Sequence, residues 1–316
     1  HMTDCMLQTR GLSKRYGAVL AVDHLTLDIP RGEIFGFLGP NGAGKTTSIH
    51  MMVGLLEPSD GDVLIEGRSV RTQRAEVLHS LGVCPQENIL WEKLTCLEQL
   101  EFVGANYGLT NQQARTNGAA LLGELGLSAK ANELAGRLSG GMKRRLNLAL
   151  ALVHDPQIVF LDEPEAGLDP QSRVLVREVI RRLAQHKTVV LTTHNMDEAE
   201  RLASRVAIMD HGRLLVVDTP DGLKRSLGVD ELLEIELDWP GGEEASQRLL
   251  DCLHTRFPGA QIAGGRLSIH GAHLAEQLSD VLDGVHICGG RAGNIHMRAV
   301  TLEDVFLSLT GRGLRE

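Results

Sequence analysis

Long apolar runs are missing from this sequence of 316 residues. No stretch approaches the roughly 18 consecutive apolar residues that a helix needs to cross a bilayer. The first residues also lack the charged and then apolar segments that make up a secretory leader. We therefore expect no membrane-spanning helix within this sequence.

An excess of positive charge is missing as well. The formal net charge is -9 at pH 7, and an acidic chain repels the phosphate backbone of nucleic acids. Local basic clusters exist, such as Lys143-Arg144-Arg145. The overall balance nevertheless argues against a broad nucleic-acid-binding surface, and we expect no nucleic-acid partner.

Cysteine is scarce, and its spacing forms no pattern. The five residues Cys5, Cys84, Cys96, Cys252 and Cys288 are odd in number and contain no C-x-x-C pair. A zinc site or a disulfide framework is therefore not expected. We expect reduced thiols that pack as small hydrophobic side chains in a cytosolic protein.

The most informative stretch present is Gly39-Pro40-Asn41-Gly42-Ala43-Gly44-Lys45-Thr46-Thr47, which matches G-x-x-x-x-G-K-[ST]. The apolar run at 33–38 predicts a strand before it, and apolar residues at helical spacing over 49–56 predict a helix after it. The glycines let several backbone N–H groups point at an anion, and the helix start adds its positive dipole end. Lys45 can reach the outer phosphates of a nucleotide, and the Thr46 hydroxyl can bind magnesium.

Polar residues follow several of the other predicted strands. Asp162 and Glu163 come directly after the apolar run 158–161, His194 ends the next strand, and Gln86 ends an earlier one. Strands that alternate with helices indicate an α/β fold with a parallel sheet, whose ligands collect at the carboxyl ends of the strands. There, Asp162 can hold magnesium, Glu163 can polarise an attacking water, and His194 can donate to a phosphate oxygen. Gln86 in isolation is a weak candidate.

Ser139-Gly140-Gly141 forms a second helix start that suits a phosphate, with Ser139 at the N-cap position. A chain with one phosphate loop does not need two such sites around one nucleotide. We therefore expect the second site to serve the nucleotide of another subunit. Two copies arranged head to tail would then enclose two ATP molecules.

The order of predicted elements divides the chain near residue 228. Helical spacing dominates between the strands that end near 86 and begin near 158, which predicts a helical subdomain at about 87–155 inserted into the α/β core. Residues 228–316 show a βαββαβ order, as in a ferredoxin-like α+β unit, closed by a helix over 302–309. Such a unit is compatible with binding a regulator or with a packing role, and both readings stay open.

The segments GPNGAGKTT, LSGGM, FLDEP, GLD and TTH, in this order, resemble the nucleotide-binding domain of ABC transporters over about residues 5–225. The resemblance implies an ABC-type P-loop ATPase core and a role for each matching residue. In those roles Tyr16 stacks on adenine, residues 39–47 bind the phosphates, and Gln86 senses magnesium and the membrane partner. Ser139, Gly140 and Gly141 reach the γ-phosphate across a dimer, and Asp169 belongs to the D-loop. Asp162 holds Mg²⁺, Glu163 is the catalytic base and His194 is the switch histidine. Without the resemblance, Tyr16 is better explained as a packing residue than as a ring that stacks on a base.

The tail, from Thr301 to Phe306 and from Leu309 to Arg312, resembles the C-terminal extension of bacterial drug, polysaccharide and lipid exporter ATPases. The resemblance implies an ATP-binding and ATP-hydrolysing domain at 3–227 and an accessory domain at 228–316. It further implies that the subunit dimerises on ATP and drives a separately encoded integral-membrane permease at the cytoplasmic face of the membrane. Two residues depart from the pattern: Met142 replaces a Gln, and Glu165 adds negative charge near the site.

The alternative is a soluble ABC-type ATPase that acts on ribosomes or DNA without transport. Such proteins usually carry paired ATPase domains in one chain or a long coiled coil, and this sequence shows neither. The net charge of -9 also disfavours nucleic acid.

Overall fold

The computed structural model describes residues 5–228, 230–238, 242–254 and 257–311. The chain separates into two compact units, with the division after Pro220. Each unit is described by itself below. The functional boundary between 3–227 and 228–316 stays a prediction.

Ten strands and most of the helices precede the second unit. The strands are β1 (Cys5–Tyr16), β2 (Val19–Pro30), β3 (Ile34–Leu38), β4 (Asp60–Ile65), β5 (Arg68–Ser69), β6 (Leu81–Cys84), β7 (Ile158–Asp162), β8 (Thr188–Thr193), β9 (Arg205–Asp210) and β10 (Arg213–Asp218). The helices are α1 (Lys45–Met52), α2 (Arg74–Leu78), α3 (Cys96–Asn106), α4 (Asn111–Glu124), α5 (Gly140–Leu152), α6 (Pro170–Leu183) and α7 (Met196–Leu202). Helix α8 (Pro220–Ser226) begins at the division and belongs to the second unit.

A six-stranded sheet with the order β10-β9-β3-β8-β7-β6 forms the centre of the first unit. Every pair from β9 to β6 is parallel, and β3, β7 and β8 are buried along their whole length. This burial explains their nearly continuous apolar sequences. Because Leu38 pairs with Thr193 and Asp162 pairs with Thr192, the carboxyl ends of the three strands meet at one edge. The predicted α/β fold with a parallel sheet is confirmed.

A second, antiparallel sheet has the order β2-β1-β4-β5. Its buried residues, such as Leu7 and Ile29, share one apolar core with Phe35 and Phe37 of β3 and Met52 of α1. Phe35 and Phe37 touch edge to face, with ring centroids 5.3 Å apart. The apolar face predicted for the helix after the phosphate loop therefore lies against this core.

The helices between β6 and β7 confirm the inserted helical subdomain. Both α3 and α4 begin with a capping box, formed by Thr95 with Glu98 and by Thr110 with Gln113. Each box satisfies backbone groups that the first turn of a helix leaves open. Leu97 and Leu100 of α3 are buried, whereas the Phe102 side chain is exposed.

The second unit contains β11 (Glu231–Asp238), α9 (Gly242–His254), β12 (Gln261–Ala263), β13 (Arg266–Gly271), α10 (Leu274–Ile287), β14 (Arg291–Ala299) and α11 (Leu302–Thr310). The order along the chain is the predicted βαββαβ with a closing helix. The strands pair antiparallel in the order β12-β13-β11-β14. The likeness to ferredoxin-like domains stays a prediction. The buried Val281 and Val285 of α10 belong to the core of this unit.

The cysteines are free thiols in different environments. Cys84 and Cys96 are buried, as predicted, and Cys5 and Cys288 are half-buried. The expectation of a packed thiol is wrong for Cys252, which is exposed. None of the helices in the described part of the chain is both long and apolar enough to span a membrane.

Candidate functional site

The loop from Gly39 to Thr47 connects β3 to α1 and is held close to neighbouring backbone. A Cβ atom added to Gly39 would lie 2.2 Å from the carbonyl oxygen of Met209 in β9. A Cβ atom on Gly44, whose φ is 97°, would lie 2.5 Å from the carbonyl oxygen of Ala21 in β2. Neither position therefore accepts a larger residue. Helix α1 begins directly after Gly44, so its unpaired N–H groups are at the loop.

The Lys45 side chain is buried and folds back over this loop. Its Nζ donates to the carbonyl oxygens of Gly39 at 2.6 Å and Pro40 at 2.9 Å. Burial lowers the pKa of the Lys45 ammonium, and the nearby charges of Glu163 and Asp162 act in the opposite direction. The cation is therefore fixed at the loop by the backbone carbonyls.

Asp162 ends β7 with its carboxylate buried beside the loop. Its Oδ1 accepts a hydrogen bond from the Thr192 hydroxyl, and its Oδ2 accepts one from Thr46 Oγ1 at 3.3 Å. A carboxylate beside a hydroxyl is an oxygen donor set of the kind that Mg²⁺ prefers. In the described ranges no three His, Cys, Asp or Glu residues cluster as a metal site.

Glu163 is held in an unusual backbone conformation. Its φ of 51° lies in the left-handed region, which costs a non-glycine residue about 1–3 kcal/mol at such sites. Its N–H donates to the Thr192 carbonyl oxygen at 3.1 Å and to Thr192 Oγ1 at 3.2 Å. Its Oε1 lies 2.7 Å from Nδ1 of His194. The Glu163 carboxylate is buried, whereas the His194 side chain is 55 % exposed.

Arg144 of α5 connects these groups, although the sequence indicated only a basic cluster there. Its buried guanidinium donates to the carbonyl oxygens of Asp162 at 2.5 Å, Glu163 at 2.9 Å and Gln86 at 3.1 Å. It also donates to the carbonyl oxygen of Pro85. One side chain thus ties α5 to the turn after β7 and to the segment after β6.

Two predicted site residues, Gln86 and Tyr16, have no described side-chain contact with Lys45, Asp162 or Glu163. The side chain of Gln86 is exposed, and its described contact to the site is the backbone carbonyl that Arg144 reaches. Tyr16 is 50 % exposed at the end of β1, with Lys14 Nζ 5.4 Å from its ring centroid. No described hydrogen bond joins either side chain to the loop at 39–47.

The second helix start also stands apart from the loop. Ser139 caps α5, where its hydroxyl accepts from the Met142 N–H at 3.3 Å, and both Ser139 and Gly140 are exposed. Beside Gly141 lies Asp169, which caps α6 and accepts from the backbone N–H and the hydroxyl of Ser172 at 2.9 and 2.6 Å. These bonds lower the pKa of Asp169. No described contact joins this group to residues 39–47 of its own chain.

The charge predicted for Glu165 is neutralised within the protein. Its buried carboxylate forms a two-pronged ion pair with Arg177 of α6, one arm of which measures 2.5 Å from Nη2 to Oε2. The earlier expectation of added negative charge near the site therefore needs correction. Glu165 and Arg177 are twelve residues apart, with a loop and a helix start between them, so no local sequence pattern predicted that they would pair.

A further buried carboxylate, Glu198 of α7, was also missed. Its Oε2 accepts from Thr193 Oγ1 at 2.6 Å, and burial raises its pKa to about 7. The charges of Glu165 and Glu163 raise the pKa further, and Arg177 opposes them. The polar pair Thr192-Thr193 at the end of an otherwise apolar strand was the sequence signal for these contacts.

Comparison with known proteins identifies relatives along the whole chain. Residues 22–166 match the ABC transporter family. The chain is 34 % identical to the linearmycin resistance ATP-binding protein LnrL of Bacillus subtilis, over 98 % of this chain and 100 % of the relative. It is 39 % identical to the Nod factor export ATP-binding protein I of Burkholderia orbicola, over 100 % of both. A solved structure of an ATP-binding subunit of an ABC transporter superposes with a TM-score of 0.66 at 29 % identity, over 71 % of this chain and 93 % of that one.

Proposed function

The chain belongs to the ABC transporter family of ATP-binding proteins, and from this membership we propose that it is the ATP-hydrolysing subunit of an exporter. The observation that carries the proposal is the arrangement at the carboxyl edge of the sheet, where the Lys45 ammonium is held at the phosphate loop, Thr46 donates to Asp162, and Glu163 contacts His194. We assign ATP hydrolysis to residues 3–227 and an accessory role to residues 228–316.

Nucleotide binding rests on the loop and on an exposed ring. Residues 39–47 offer backbone N–H groups and the Lys45 ammonium to the phosphates of ATP. The half-exposed ring of Tyr16 offers a face for the adenine. Thr46, Asp162 and Gln86 are the residues that would hold Mg²⁺, and the bound ion would neutralise charge that develops on the phosphates.

Hydrolysis requires a group that accepts a proton from the attacking water. Glu163 is the carboxylate placed for this role beside Asp162, and its strained backbone fixes where the carboxylate points. His194 holds one oxygen of Glu163 through Nδ1, which leaves Nε2 as the ring nitrogen that can meet a γ-phosphate oxygen. The residues thus divide into one base and one orienting group.

Dimerisation supplies the remaining half of each site. Ser139, Gly140 and Asp169 are exposed, and they have no described contact with the phosphate loop of their own chain. A helix start with a hydroxyl and glycines suits a phosphate. We propose that these residues face the γ-phosphate of the ATP bound by a second copy, so that two nucleotides lie between two subunits.

A membrane permease, encoded separately, is the proposed partner at the cytoplasmic face of the membrane. Trp91 and Phe102 are exposed, with their rings edge to face at 5.3 Å, and Ile89, close in sequence to Gln86, is exposed as well. Exposed apolar patches of this kind mark interaction sites. The names of the two relatives refer to export and to antibiotic resistance, which supports an export role.

The test compares hydrolysis of ATP in the presence of candidate partners. We expect purified protein to hydrolyse ATP faster when added to proteoliposomes that contain the membrane protein encoded beside it. We expect no acceleration by ribosomes or DNA, the partners of the alternative function. Trp91→Ser should abolish the acceleration and keep the basal rate. Acceleration by ribosomes or DNA, with none by the membrane protein, would refute the exporter assignment.

A further inference from the structure

Two free thiols of the second unit lie in contact, although 36 residues separate them in the sequence. Cys252 is near the end of α9, and Cys288 directly follows α10. Their Sγ atoms are 3.5 Å apart. Cys252 is exposed and Cys288 is half-buried. The proposed function uses neither residue.

The packing of α9 on α10 creates this contact. A Cβ atom added to Gly284 of α10 would lie 3.1 Å from Cδ2 of Leu253, so the glycine lets the two helices approach closely. Leu253 is the neighbour of Cys252 in the chain. Cys288 lies one turn beyond Gly284, and its N–H donates to the Gly284 carbonyl oxygen at 3.1 Å. The thiols therefore meet because the core of the unit brings the helix ends together.

The environment of the pair favours a bond between the sulfurs over a metal site. Zinc sites in proteins use three or four side-chain ligands. Within the described part of the chain, no His, Asp or Glu joins the two thiols in a group of three or more. A disulfide needs the sulfurs to approach to about 2.05 Å, which is a movement that a residue at the end of a helix can make.

We propose that Cys252 and Cys288 form a reversible disulfide, in which Cys252 attacks a small external disulfide and Cys288 resolves the product. The Cys252 thiolate attacks one sulfur of the external disulfide and expels the other as a thiolate. The Cys288 thiolate then attacks the Cys252 sulfur of the mixed disulfide and expels the second small thiolate. Two protein thiols are oxidised, one external disulfide is reduced to two thiols, and the two protons pass to the expelled thiolates.

The order of attack follows from exposure and charge. Cys252 is the exposed member, so it meets a dissolved disulfide first. Burial and the neighbouring Cys252 raise the pKa of Cys288, which lowers its thiolate fraction and makes it the less reactive of the two thiols toward a dissolved disulfide. The finished bond would link α9 to α10 and limit the unfolded states of the second unit, which stabilises its fold.

The test treats the full chain with oxidised glutathione at pH 8, quenches with N-ethylmaleimide and measures intact mass and peptide masses. We expect the wild type to lose two hydrogens and to yield a linked peptide that joins Cys252 to Cys288. Cys288→Ser should instead retain one glutathione on Cys252. In Cys252→Ser, the remaining Cys288 should take up glutathione no faster than the buried Cys84 does.

Control variants and a second measurement show whether a substitution acts through loss of the bond or through a folding defect. Cys5→Ser and Cys96→Ser should form the Cys252–Cys288 bond as the wild type does. In urea, oxidation should raise the unfolding midpoint of the second unit in the wild type and leave it unchanged in Cys288→Ser. Glutathione that persists on Cys252 in the wild type, or a bond from Cys252 to a second chain in place of Cys288, would overturn the proposal.

Discussion

Nδ1 of His194 lies 2.7 Å from Oε1 of Glu163, so the proposed switch histidine and the proposed catalytic base are bonded directly to each other. Their chain positions are 31 residues apart, at the ends of the neighbouring strands β7 and β8. We propose that this contact gives His194 a role separate from nucleotide binding, in which it orients the carboxylate that we assign as the base.

Replacing His194 should therefore affect turnover more than affinity. We expect His194→Ala to lower kcat about 100-fold, the scale of a general base that loses its orientation. The Kd for ATP should change little, because the loop and Lys45 remain. Steady-state hydrolysis and nucleotide titration measure the two quantities. A variant with normal kcat would show that the Glu163 contact has no catalytic role.

Arg144 should support both stability and turnover. Arg144→Met leaves the carbonyl oxygens of Asp162, Glu163 and Gln86 without their donor, at about 1–3 kcal/mol for each buried group that stays unsatisfied. We expect a lower urea midpoint together with a loss of kcat. Arg145→Met is the matched control, because Arg145 donates to the Leu125 carbonyl oxygen at 2.8 Å and not to the turn after β7. It should lose stability and keep kcat, and equal kcat values in the two variants would contradict the assignment.

The Glu165–Arg177 ion pair should be strongly coupled. Arg177→Met leaves the Glu165 charge buried and unpaired, which should destabilise the fold by about 3–5 kcal/mol. The double variant with Glu165→Gln should recover most of this loss, and its hydrolysis rate should remain near that of the wild type. Arg115→Met breaks the exposed pair with Glu101 and should cost less than about 1 kcal/mol. Urea unfolding measures the wild type, the two single core variants, the double variant and Arg115→Met. Additive effects of the two core substitutions would refute the coupling.

Glu198 should make stability depend on pH. Its pKa is raised from 4.5 to about 7 by burial, so the native protein keeps a proton that the unfolded chain has already released. Stability should therefore fall as pH rises through this interval, and the full cost should be present above pH 7. In the wild type this group should make the free energy of unfolding about 3 kcal/mol lower at pH 7 than at pH 4.5, and Glu198→Gln should remove this contribution. Parallel stability curves for the two proteins from pH 4.5 to 7 would contradict this account.

The sequence predicted the parts of the site that depend on local order along the chain. A loop between a strand and a helix and polar residues at strand ends are local patterns, and parallel pairing brings such ends to one edge. The sequence thus indicated Lys45, Thr46, Asp162, Glu163 and His194, which the structure places at this edge, and their roles stay predictions. No local pattern indicated contacts that depend on how distant side chains pack. Arg144 reaches its carbonyls across 18 to 59 residues, and Cys252 meets Cys288 only because Gly284 lets two helices approach.

The central claim is that each chain carries two half-sites for ATP and that only two chains complete them. Its most direct measurement is the mass in solution of Glu163→Gln, which should bind ATP without hydrolysing it. With saturating Mg·ATP we expect twice the monomer mass of 34.3 kDa, and adding Ser139→Arg to this variant should return the mass to that of one chain. A Glu163→Gln protein that binds ATP and keeps the monomer mass would contradict the claim.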